Sequence, residues 1–142
     1  MEKKRLSAGI EKNEFLTQTF NGYYIQMDNF GACSFCAMGL AILSTGKLSI
    51  SEMLDDKGEI SQNILDLSYY NFDLDVELLD EIEAKFGLAS KASKPLSYVM
   101  HSNYKKANLF ALVMMLNDRY RISFKQIKEI VAYIEDQLLG VN

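Results

Sequence analysis

The chain has no tryptophan, one proline, one histidine and two cysteines among its 142 residues. Two cysteines are too few for a disulfide framework, so the fold is expected to hold by packing, with reduced thiols in a cytoplasmic setting. His101 and a single cysteine pair make at most part of a four-ligand zinc site, and no other cofactor signature appears. The longest apolar runs, such as residues 109–116, are far shorter than a bilayer span requires. Met1-Glu-Lys-Lys-Arg5 leads into a polar, helix-like stretch and not into the apolar segment of a signal peptide.

What the chain does have is 49% hydrophobic residues, enough for one compact domain over residues 1–142. Apolar positions recur at helical spacing and glycine is sparse. The fold class expected is mainly α: a bundle of five to seven helices, with room for one short strand or hairpin near residues 23–27. A first helix is expected over 7–20, with Ile10, Phe15 and Leu16 inward, and a second over 33–44. Ser49-Ile-Ser-Glu52 has the form of a capping box, Asp55-Asp-Lys-Gly58 a stop, and 61–69 another helical piece. Over 75–86, Val76, Leu79, Ile82 and Phe86 form one stripe, with carboxylates at its start and Gly87 at its end. A helix is expected to start near Ser97 after Pro95, with a break near residues 101–103, followed by a buried helix over 104–117. The last begins at Ser123, with Ile127, Ile130, Val131, Ile134 and Leu138 on its apolar side and Lys125, Lys128, Glu129 and Glu135 facing water.

The net charge of −4 conceals a segregation. From Glu52 to Glu83 there are eleven acids against Lys57, a balance of −10; from Ala84 to Lys128 there are nine bases against Asp118, a balance of +8. Such halves either pair internally or face partners of opposite sign. Asp73, Asp75, Glu77, Asp80, Glu81 and Glu83 are the candidate binding surface, and Lys105, Lys106, Arg119 and Arg121 the candidate anion site. The basic half, with Tyr98, Tyr104 and Tyr120, has the ingredients of single-strand binding. Its bases are scattered through an acidic chain without a nucleic-acid motif, so a protein is the expected partner.

Both cysteines lie in Gly31-Ala-Cys-Ser-Phe-Cys-Ala-Met-Gly39. The small and apolar residues there point chiefly to a tightly packed helix start. A thioredoxin-like dithiol would want a preceding core strand of a βαβ unit, which is missing. Gln26, a cysteine at a helix start and a downstream histidine loosely resemble papain-like peptidases and the peptidases that trim double-glycine leaders. That resemblance implies Cys33 or Cys36 as nucleophile, His101 as base and Gln26 as oxyanion donor.

Three further pieces occur in order: Gly22-Tyr-Tyr24-Ile-Gln26, then Cys36-Ala-Met-Gly39-Leu40, then Leu116-Asn-Asp118 with Ser123-Phe-Lys-Gln-Ile127 and Ile134-Glu135. Together they resemble a family of small, uncharacterised proteins of tailed phages and prophages, departing from it at Lys128 and in lacking tryptophan. The resemblance implies a helical accessory protein acting in the bacterial cytoplasm, and supplies no catalytic residue. The expectation is a binding protein, an inhibitor of a bacterial defence system; the alternative is a cysteine-dependent hydrolase.

Overall fold

The computed structural model describes residues 6–20, 25–55, 73–91 and 93–138. In chain order these form α1 (Leu6–Lys12), β1 (Ile25–Met27), β2 (Cys33–Phe35), α2 (Ala37–Ser44), α3 (Ile50–Asp55), α4 (Val76–Lys85), a 3-10 turn (Leu88–Lys91), α5 (Leu96–Asn103), α6 (Leu109–Asp118) and α7 (Phe124–Leu138). The chain is mainly helical around one core, with a single two-stranded antiparallel hairpin among the described residues.

Local signals set most helix starts. The Ser49 hydroxyl accepts from Glu52 N–H while the Glu52 carboxylate accepts from Ser49 N–H, both at 3.1 Å. Asp75 caps α4 through Leu78 N–H (2.8 Å), Asn108 caps α6 through Ala111 N–H (2.9 Å), and Ser123 accepts from Gln126 N–H at the start of α7. Gly87, at φ +67°, ends α4 in the left-handed region that glycine enters without strain.

α1 packs against α2 and α7, α2 against α6, and α4 against α5. A Cβ on Gly9 would stand 3.4 Å from the Ala41 Cα, so the lack of a side chain lets α1 and α2 approach closely. On α7, Ile127, Ile130, Val131 and Ile134 are buried and Leu138 half-buried, as their spacing predicts.

Several expectations are corrected. The first helix stops at Lys12 because the chain beyond it is drawn elsewhere: Asn13 donates to the Ser44 hydroxyl (2.8 Å). Phe35 N–H donates to Thr17 O and Thr19 N–H to Phe35 O, both at 2.8 Å, so Gln18 pairs alongside Phe35 in parallel sense. Phe15, expected inward, is exposed. The second helix starts at Ala37, since residues 33–35 pair with β1 in the register Ile25 to Phe35, Gln26 to Ser34 and Met27 to Cys33. Val76 is 52% exposed at the first turn of α4, while Leu74, before the cap, is buried. α5 runs through His101 to Asn103, and α6 starts only at Leu109. The expected stop over 56–58 and helix over 61–69 lie outside the described residues, as do residues 22–24 of the first motif.

Candidate functional site

The cysteine pair is divided between two elements. Cys33 is half-buried on β2. Cys36 is the buried N-cap of α2, its sulfur accepting from Gly39 N–H at 3.3 Å. Burial first, and the Asp118 charge after it, push its thiol from the usual 9.0 up to about 12, and the Gly39 hydrogen bond opposes this only in part. His101 is exposed on α5 and makes no hydrogen bond with Cys36, while Gln26, exposed on β1, meets the Thr19 hydroxyl at 3.0 Å. Among the described residues no hydrogen bond joins His101 to either cysteine. Among the described residues no three His, Cys, Asp or Glu side chains gather as metal ligands.

Of the six carboxylates proposed as a surface, five are exposed and Glu83 is half-buried. Asp73 precedes α4, and Asp75 is spent as its cap. Asp80 accepts from the Ser97 hydroxyl (3.1 Å), Glu81 from the Tyr133 hydroxyl, and Glu83 from Leu96 N–H (2.8 Å). The hydrogen bond to Glu81 raises the pKa of Tyr133. None of the six pairs with a lysine or arginine among the described residues. Lys128 pairs instead with Glu11 (3.7 Å) and Glu14 (3.5 Å) near α1.

The four proposed anion-binding cations are also dispersed. Lys105 and Lys106 are exposed between α5 and α6, and Arg121, at φ +53°, lays its guanidinium 5.5 Å from the Phe20 ring centre. Arg119 lines a cleft of about 390 Å³, where its neighbours include Lys94, Tyr98 and Tyr120.

Two buried polar residues went unassigned in the sequence. Asn117, expected at a helix end and turn, is almost fully buried in the last turn of α6. Its Oδ1 accepts from Ala37 N–H (3.0 Å) and Gln18 Nε2 (2.9 Å), and its Nδ2 donates to Thr19 O and the Asp118 carboxylate, both at 2.8 Å. Glu135, expected to face water, is completely buried and accepts from Leu6 N–H (2.7 Å) and Ser7 N–H (3.2 Å) at the start of α1. A signal existed for Glu135, which falls four residues after Val131 and three before Leu138, on the apolar stripe itself. Asn117 directly follows the apolar run 109–116, before Asp118, and carried no such mark of its partners.

Among the described residues no helix is long and apolar enough to cross a membrane. Comparison with family models, with curated proteins and with solved structures finds no match.

Proposed function

We propose that the chain acts by binding, holding a basic surface of a host protein against the acidic face of α4 and the residues just before it. One observation carries this: six carboxylates within residues 73–83 have no internal cation among the described residues, so their field points outward. The exposed Val76 adds an apolar contact within the same face. The resemblance to phage and prophage proteins suggests the setting, a bacterial cytoplasm with a defence component as the target. The hydrolase alternative has less support, with the Cys36 thiol buried in the core and the exposed His101 not hydrogen-bonded to it.

Asp73→Lys with Glu77→Lys is the test, since neither carboxylate serves as a cap or hydrogen-bond acceptor among the described residues. Affinity capture from bacterial lysate should lose its partner at least about tenfold, with the circular dichroism spectrum unchanged. Undiminished capture by the double variant sinks the assignment of this face.

A further inference from the structure

We propose that the cleft between α5 and the turn joining α6 to α7 binds a small phosphorylated molecule, with Arg119, Lys94 and the Tyr120 hydroxyl as the groups that hold its phosphate. The cleft adjoins the acidic face of α4 at Glu83, and its ligand is tested separately from the partner proposed for that face. It also regroups the cations singled out in the sequence, keeping Arg119 and replacing Lys105, Lys106 and Arg121 with Lys94.

Tyr120 is the point of departure. Its side chain is 5% exposed, and its hydroxyl is buried with no hydrogen-bond partner among the described residues. Stranding a buried hydroxyl costs on the order of 1–3 kcal/mol, which a phenylalanine would avoid while packing the same ring. The fold thus gives this hydroxyl no partner among the described residues, and Tyr120 lines the cleft. An acceptor oxygen of a bound molecule removes the penalty.

The surroundings specify what kind of molecule. Lys94 and Arg119 both line the cleft, and the Lys94 ammonium is held 4.5 Å from the centre of the Tyr98 ring. The carboxylate facing Tyr120 from α4 is Glu83, already accepting the Leu96 N–H. Burial first, and Glu83 second, push the Tyr120 pKa up, while Arg119 opposes them, so the phenol remains a donor at neutral pH. The residues lining the cleft carry a guanidinium, an ammonium, the Ser93 hydroxyl and the buried Tyr120 hydroxyl. A phosphomonoester, with three acceptor oxygens and nearly two negative charges, satisfies such a set. Tyr98 and Val99 supply an apolar wall for the rest of the molecule. A volume of about 390 Å³ is at the small end of ligand sites and suits a sugar phosphate or mononucleotide.

The test is calorimetric titration of the full chain with inorganic phosphate, AMP and adenosine. Phosphate and AMP should bind saturably, compete with each other and weaken as salt is raised, while adenosine should not bind. Arg119→Gln should cost about tenfold or more in affinity. Tyr120→Phe should weaken binding several-fold with a melting temperature equal to or above that of the parent. Three results overturn the proposal: equal binding of adenosine and AMP, no saturable binding of phosphate or AMP up to about 10 mM, or a Tyr120→Phe variant that melts lower and binds as before.

Discussion

At neutral pH Cys36 keeps its proton, and its sulfur serves α2 as a serine cap would, accepting the Gly39 N–H inside the core. Because the folded pKa is raised to about 12 from 9.0, the unfolded chain releases this proton first. Its contribution to stability is therefore complete below about pH 9 and is lost as pH rises toward 12, by on the order of 4 kcal/mol in all. Tyr104, Tyr120 and Tyr133 are also pushed up and add to the alkaline slope, so a comparison isolates the thiol. Cys36→Ser retains a cap without the ionisation, and its melting temperature should fall less than the parent's between about pH 9 and 11. Iodoacetamide at pH 8 should label the half-buried Cys33 first, with Cys36 following only on unfolding, because its thiolate fraction there is about 10⁻⁴. Labelling of Cys36 at the rate of a free thiol would refute the buried cap. The sequence suggested the packed helix start through its small residues. It could not separate the two thiols, because Cys33 belongs to a strand defined by pairing with β1.

The same contrast holds for elements. Caps at Ser49 and Ser123 were legible because donor and acceptor lie three residues apart. The stretches 13–20 and 33–36 were misjudged as helix because Thr17, Thr19 and Phe35 exchange backbone hydrogen bonds across the chain, and a local pattern does not encode that pairing. Asn117 secures the junction, joining α6 to the start of α2 and to residues 18 and 19. Asn117→Ala leaves several buried groups unpaired and should cost about 2–4 kcal/mol in urea unfolding. Asn117→Asp, nearly the same shape, should also destabilise, since an oxygen would then face Thr19 O and the Asp118 carboxylate. An aspartate variant as stable as the parent would show that the amide's donations are dispensable.

Across the whole molecule, the acidic and basic halves that stand out in the sequence do not neutralise each other among the described residues; Lys128 turns to Glu11 and Glu14 instead. The long-range tie that matters more is Glu135, which bonds to the first turn of α1 across 129 residues. Glu135→Ala should cost about 2–3 kcal/mol and release the Leu6 and Ser7 amides to hydrogen exchange before the rest of the core. Glu129→Ala, on the exposed side of α7, should change stability by less than about 0.5 kcal/mol. Comparable exchange protection of Leu6 and Ser7 in the Glu135 variant and its parent would count against this tie.

The Glu135 carboxylate also sets an order of events during synthesis. A chain made from its amino end presents α1 long before residue 135 exists, so the first turn of α1 gains this acceptor only after α7 is made. Until α7 is translated, Ile10 and the Gly9 face of α1 lack one of the two helices that enclose them, leaving an apolar side of α1 open to other chains in the nascent protein.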